Sequence, residues 1–310
     1  MRINKPNFWD GKIGFFSILL FPLSLIVLFL VFLKKKFSKV SNFKIPIICV
    51  GNIYIGGTGK TPTCIYIVNE LNKMGKNAVI FRKHYEDQVD EHNLIRGYLG
   101  NLILSKNRVD GLREIEKSNF DTVIMDDGLQ DYKIKKNISI ACFNSNQLIG
   151  NGLVIPAGPL RESLNSLKNI NIVIINGNRN KIFEEKILKI NSNLKIFYSY
   201  YEPKNLNDFT NQKLLAIAGI GNPENFFSLI EQNNLNIQKK IIYPDHYKFS
   251  KEQFQNIIRE AEEKNYKIIM TEKDFYKIEK YNFDKVNFLK VELKIADQEN
   301  FIKVLKDLYD

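Results

Sequence analysis

The sequence predicts an α/β protein: a domain built on a parallel sheet, a second, smaller α/β domain, and an N-terminal membrane helix. Three observations carry that expectation. From Ile45 onward, short β-branched runs alternate with longer stretches of helical periodicity, as βαβ units do. A glycine-rich segment, residues 51–62, follows the first of those runs and precedes the first helical stretch. Residues 14–33 form a run of twenty residues without a charge.

The uncharged run comes first in the chain. As a helix, twenty residues cover about 30 Å, the thickness of a bilayer's hydrocarbon core. Trp9 precedes it and Lys34, Lys35, Lys36 and Lys39 follow at once, the positions of an interfacial aromatic and of a cytoplasmic basic flank. A cleaved signal peptide would be shorter and end in a small-residue cleavage site, which is lacking here. Buried core helices are usually shorter too. If the helix crosses the bilayer, its lysine-rich side should face the cytoplasm, which places residues 45–310 there. Whether the helix crosses the bilayer or lies in one leaflet is left open by the sequence.

Charge agrees with this address. The 310 residues carry 45 Lys+Arg against 34 Asp+Glu, a net +11. Eight of the cations and one acid, Asp10, lie in the first 44 residues. The remaining excess is small, is nearly all lysine, and forms no cluster, so a nucleic-acid partner is not expected. A hydrophobic content of 44% excludes a disordered chain. Cys49, Cys64 and Cys142 never form C-x-x-C, and three histidines are too few to complete zinc spacing. The cysteines read as small core residues.

Beyond the anchor, residues 45–50 read as a strand, 63–74 as a helix, and 78–81 as a second strand. Residues 112–117 look helical; 122–125, 139–143 and 170–175 return as strands. After the polar stretch 202–212, strand-like runs recur at 214–218, 241–243, 267–270 and 288–291, around an amphipathic helix at 251–265. The expected organisation is a membrane-associated helix with basic flanks over 1–44, a nucleotide-binding domain over 45–205, and a second α/β lobe over 206–310.

The strongest motif is GNIYIGGTGKTP, residues 51–62. Gly56, Gly57, Thr58 and Gly59 allow backbone N–H groups to turn toward phosphate oxygens, and the following helix adds its dipole. Lys60 supplies a mobile cation for the β- and γ-phosphates, and the Thr61 hydroxyl is a ligand for Mg²⁺. A strict Walker A loop has glycine where Tyr54 stands. The context is nonetheless that of a P-loop NTPase-like domain binding ATP and Mg²⁺. Asp126 and Asp127 end an apolar strand and precede Gly128, as a Walker B acid does, at the strand end where open α/β sheets bind ligands. His246, one of three histidines, follows a strand beside Asp245 and is a candidate in its own right.

With these residues in place the chain resembles the tetraacyldisaccharide 4'-kinase family of Gram-negative inner membranes. The resemblance runs nearly end to end. It rests on GNIYIGGTGKTP, DDGLQ (126–130), NGLVIPAGPLRE (151–162), AIAGIGNPENFF (216–227), PDH (244–246) and TEKD (271–274), in this order behind an apolar helix. It implies transfer of phosphate from ATP to the 4'-hydroxyl of a tetraacylated glucosamine disaccharide 1-phosphate, forming lipid IVA. The acylated lipid and the membrane are the implied partners, with the catalytic domain on the cytoplasmic face.

The resemblance also carries residues over. The family's G-D-E acid, which works with the histidine of P-D-H near the attacking hydroxyl, matches Asp90 in Gln88-Val89-Asp90-Glu91, and the histidine matches His246. In G-P-L-R-E, Glu162 is a further candidate for the metal and Arg161 for a phosphate, with a helix-start ion pair as the alternative reading. Arg82 begins the segment matching the loop that holds the disaccharide and its 1-phosphate. That segment departs from the family's R-G-Y-G, reading Arg82-Lys83-His84-Tyr85, and is only two residues from the Asp90 motif. Asp131 stands where the family has histidine, and Ser163 where it has proline. TEKD has no assignable role beyond positioning.

Two other readings compete. A membrane-associated P-loop switch ATPase acting on a protein partner shares the G-G-x-G-K-T loop but usually places lysine where Ile55 stands. A binding-only paralogue would explain the altered loop at Arg82 but not the presence of Lys60, Asp90, Asp126 and His246 together.

Overall fold

The structure is a computed structural model that describes residues 5–85, 89–245 and 247–310, with the backbone alone at 89–91. The chain begins with helix α1 (Phe15–Phe37). Strand β1 (Ile47–Gly51), helix α2 (Lys60–Lys73) and strand β2 (Ala78–Lys83) follow. Next come α3 (Val89–Leu99), β3 (Leu102–Ser105), α4 (Arg108–Ile115), β4 (Thr122–Asp126), β5 (Ile138–Asn144) and β6 (Ile172–Asn176). After α5 (Lys181–Leu188) and β7 (Lys195–Pro203) the chain forms β8 (Lys213–Ala218), α6 (Pro223–Gln232), β9 (Asn236–Ile242) and α7 (Lys251–Glu263). It ends with β10 (Lys267–Thr271), α8 (Glu272–Ile278), β11 (Val286–Leu289), β12 (Val291–Ile295) and α9 (Gln298–Lys306).

Among the described residues the strands form two sheets, ordered β12-β7-β6-β5-β1-β4-β2-β3 and β11-β10-β8-β9. Every pairing from β7 through β3 in the first sheet, and every pairing in the second, is parallel. A parallel sheet covered on both faces needs strands that are apolar throughout rather than alternating. β1, β4, β5 and β6 meet that requirement, being buried at every position. Cys49, Cys64 and Cys142 are buried in this region, and burial pushes the Cys49 and Cys142 thiols up to about 12, so they are apolar filling rather than nucleophiles.

The chain divides into two compact units. The first comprises Met1–His84, Asn101–Tyr200 and Lys294–Asp310, the second Tyr85–Gly100 and Tyr201–Leu293. This corrects a single cut at 205/206 in two places. Residues 85–100 join the second unit because α3 packs on α8 there. Residues 294–310 return to the first because β12 pairs in the eight-stranded sheet and α9 buries Phe301 and Leu305. The run 288–291 is two strands, β11 and β12, parted at Lys290.

Helix α1 belongs to the first unit, and its burial is inverted relative to a core helix. Its large apolar side chains lie outward, with Phe15 73% and Ile18 65% exposed, whereas Ser17 and Ser24 are buried. The Ser24 hydroxyl donates to the Val154 carbonyl at 2.7 Å and accepts from the Ala157 N–H at 3.1 Å. Asn151 Nδ2 donates to Ser17 Oγ, and Lys34 Nζ to the Gln130 carbonyl.

Candidate active site

Strand register explains why distant residues meet. β1 lies between β4 and β5, with Val50 opposite Asp126 on β4, so the loop leaving β1 opens beside that acid. β2 flanks β4 on its other side with Phe81 opposite Met125, which brings Arg82 level with Asp126. The loop then turns at Gly56 (φ 128°) and at Gly59 (φ 87°), the residue that caps the start of α2. Both values lie where a side chain is costly.

These placements bring together six of the expected residues. Thr61 Oγ1 donates to Asp126 Oδ2 at 3.2 Å, and Arg82 Nη1 pairs with the same oxygen at 3.1 Å. Asp127 Oδ1 takes Arg161 Nη1 at 2.9 Å and lies 3.8 Å from Lys60 Nζ. Burial raises the Asp127 carboxyl, but Lys60 and Arg161, with Arg82, outweigh it and hold the group below the usual carboxylate range. Asp127 is thus an ionised carboxylate among cations, and the loop beside it presents positive charge suited to a polyanion.

The phosphate loop and the 151–162 segment are joined by backbone. Ile55 N–H donates to the Pro159 carbonyl at 2.9 Å and Arg161 N–H to the Ile53 carbonyl at 2.7 Å, so Arg161 is delivered to Asp127 from the loop's own flank. Glu162 is buried and accepts from Tyr132 Oη at 2.6 Å, with the Tyr132 ring beneath Lys34 and Lys35.

Two groups test the fit to a nucleotide and its metal. The buried Thr58 Oγ1 and Asn52 Oδ1 have no hydrogen-bond partner among the described residues. Buried polar atoms are rarely left so, and both belong to a loop built to receive phosphate oxygens or their hydration. Thr61 with Asp126 and Asp127 offers the oxygen donors Mg²⁺ prefers; that ion is usually held by one or two carboxylates, with phosphates and water completing its shell.

Of the remaining expected residues, Asp90 lies at the start of α3, its side chain outside the described residues, and His246 lies outside them altogether. The structure adds one group that the sequence reading missed. Arg108, at the start of α4, donates through Nη2 to the Asp127 carbonyl at 2.7 Å and pairs with Asp131 at 3.7 Å. It anchors a residue held at φ 54°, in the left-handed region. Its signal was scarcity: in a chain with eight arginines, three gather here.

The parallel sheet, the phosphate loop ahead of α2 and the acids at the end of β4 define a P-loop nucleotide-binding protein of the phosphotransferase type. The chain belongs to the LpxK family, tetraacyldisaccharide-1-P 4'-kinase, whose family model matches residues 16–310. Tetraacyldisaccharide 4'-kinase of Pelagibacter ubique (strain HTCC1062) is 42% identical over 309 residues, covering 98% of each chain. The kinase of Rickettsia akari (strain Hartford) is 33% identical over 316 residues, covering 96% of this chain and 95% of its own. In fold, the chain is similar to a crystal structure of "apo" form LpxK from Aquifex aeolicus in complex with ATP, with a TM-score of 0.74, 20% identity, and coverage of 96% of this chain and 100% of that one. Family membership favours the kinase over the switch ATPase.

Proposed function

We propose that this protein transfers the γ-phosphate of ATP to the 4'-hydroxyl of a tetraacylated glucosamine disaccharide 1-phosphate, forming lipid IVA at the cytoplasmic face of the inner membrane. The observation that carries the reading is the convergence of Lys60, Thr61, Asp126, Asp127 and Arg161 on one phosphate loop in a member of this family.

Gly56, Gly57, Thr58 and Gly59 hold the β- and γ-phosphates through backbone N–H groups and the Thr58 hydroxyl, while Lys60 exchanges its Asp127 partner for phosphate oxygen. Thr61, Asp126 and Asp127 are the residues that would hold Mg²⁺, with Glu162 as a further candidate; the ion offsets negative charge on the transferring phosphoryl group. Arg161 neutralises charge that develops on that group, and Arg82 faces the acceptor's phosphate. Asp90, paired in role with His246, takes the proton of the attacking hydroxyl or orients the imidazole that does.

The bilayer accounts for α1. Its outward apolar residues would otherwise face water, and Lys34, Lys35 and Lys36 at its end suit anionic headgroups. Contacts at Ser17, Ser24 and Lys34 hold it along the soluble body over about 25 Å. A helix tied down over that length enters one leaflet rather than crossing both.

A kinase assay tests the whole reading: membranes containing the protein, labelled ATP and the monophosphorylated disaccharide lipid. Formation of a bisphosphorylated lipid that disappears in Lys60→Ala is expected. ATP hydrolysis without any lipid phosphorylation would overturn it.

A further inference from the structure

TEKD, the motif left without a role by the sequence, sits at the start of α8, where three of its side chains reach three separate segments of the second unit. Glu272, buried, accepts from the Tyr98 hydroxyl of α3 at 2.7 Å; the same hydroxyl lies 3.3 Å from the Val291 carbonyl, and Lys290 rests over the Tyr98 ring. α3 is the helix on which Asp90 is the second residue. It approaches α8 so closely that a Cβ at Gly97 would overlap the Tyr276 hydroxyl, and its His92 and Ile95 are buried.

Lys273 pairs with Asp245, the residue before His246, at 3.3 Å. Asp274, fully buried, accepts from the Gly219 N–H at 2.7 Å and pairs with Lys277, which in turn donates to the Gly219 carbonyl at 3.0 Å. A Cβ added at Gly219 would lie 3.4 Å from the Tyr243 Cβ and 3.5 Å from the carbonyl of Pro244, the first residue of PDH. Neighbouring side chains of one short helix thus clamp α3, on which Asp90 lies, and the 243–245 segment that precedes His246 in the sequence, more than 140 residues apart in the chain.

We propose that Glu272 and Lys273 are positioning residues for the acid and the histidine: they fix α3 and the 243–245 turn to one rigid support, so that the pair acting on the attacking hydroxyl is pre-organised. The proposal rests on the reading that Asp90 and His246 perform that step. Pre-organisation of this kind lowers the barrier without strengthening ATP binding, because geometry at the reacting proton matters only in the transition state.

The test uses the full-length protein in detergent micelles with ATP and the disaccharide lipid. Glu272→Ala, Tyr98→Phe and Lys273→Met are each expected to lower kcat about ten-fold while leaving the KM for ATP within about two-fold. Glu272→Gln keeps an acceptor for Tyr98, and Lys273→Arg keeps the cation at Asp245; both are expected to restore kcat to within about three-fold. In an Asp90→Ala background, Glu272→Ala should cost nothing further, because residues acting as one unit are not additive. A purely structural role would instead lower activity in proportion to folded protein, and its loss would multiply with that of Asp90→Ala; that result overturns the proposal. Strongly impaired Asp90→Ala and His246→Ala beside unimpaired Glu272→Ala and Lys273→Met removes the positioning role alone. Unimpaired Asp90→Ala and His246→Ala removes the reading of the pair, and the positioning role with it.

Discussion

Two clusters of acids and cations, one in each unit, show what burial does to the same chemistry. At the phosphate loop, Asp127 is only part-buried and pairs with Lys60 and Arg161, while Arg82 pairs with Asp126. At the start of α8, Asp274 is inaccessible and its oxygens are taken by the Gly219 N–H, the Thr271 hydroxyl and Lys277. In the first cluster Lys60 stands 3.8 Å from a part-exposed acid; the second spends its donors on the fold. An open cluster can exchange partners. A closed, satisfied one cannot do so without breaking the structure around it.

The largest expected effect breaks the open cluster. Lys60→Ala should lower kcat by roughly 10³-fold, the scale of losing a preorganised charge on a transferring phosphoryl group. Because Lys60 pairs only at 3.8 Å with a part-exposed acid, the urea midpoint of the variant should stay close to that of the natural protein. A matching loss of stability would mean that the two clusters are alike after all.

Asp274→Ala is the converse experiment. Removing the acid takes the carboxylate from Lys277 and from the Gly219 N–H inside the fold, at a cost of about 3–5 kcal/mol in unfolding free energy. Urea denaturation followed by circular dichroism measures it. ATP binding by the protein that remains folded should be unchanged, since the phosphate loop belongs to the other unit.

Asp127→Asn sharpens the exchange argument. It frees Lys60 and Arg161 from their acid, so ATP without Mg²⁺ should bind more tightly, by about 5-fold for a partly screened pair worth about 1 kcal/mol. Mg²⁺-dependent phosphorylation of the lipid should fall in the same variant. Isothermal titration with and without the metal, beside the kinase assay, separates the two outcomes. Weaker metal-free binding would show that Asp127 does not compete with phosphate.

How legible these clusters were in the sequence follows from the distance over which each is assembled. The phosphate loop is local, and β1, the glycines and α2 announce each other within a dozen residues. Asp126 was legible because a buried strand, apolar from Val123 to Met125, ends on it. Arg108 was not, since its partner, the Asp127 carbonyl, is chosen by sheet register rather than by spacing. The passage of residues 85–100 into the second unit was equally hidden. It depends on Tyr98 meeting Glu272 across 174 residues, and no periodicity in α3 points to α8. β9 was read only at its end, because alternate residues along it, including Gln238 and Lys240, are polar and exposed. The helix after residue 33 ran on to Phe37 because Lys34, Lys35 and Lys36 suit its C-terminal dipole.

The smallest effect compares two carboxylates with opposite pH behaviour. Asp127 has a folded pKa below its ordinary value despite its burial, owing to Lys60 and Arg161. The stability it contributes is therefore present above the ordinary carboxylate range and is lost as pH falls through the lowered folded value. Glu272 is shifted the other way: burial raises it, and the Tyr98 hydrogen bond and Lys290 oppose that only in part. Its ionisation in the folded protein costs stability, so its contribution is greatest below the unfolded pKa and declines as pH rises through the raised folded one. Asp127→Asn should therefore destabilise at pH 6 and converge on the natural protein as pH falls below about 4. Glu272→Gln, which keeps an acceptor for Tyr98, should match the natural protein near pH 4 and become the more stable of the two as pH rises toward 7. Thermal unfolding across that range reads both slopes. Parallel curves for the two variants would mean that the open and closed environments do not differ in the way their partners imply.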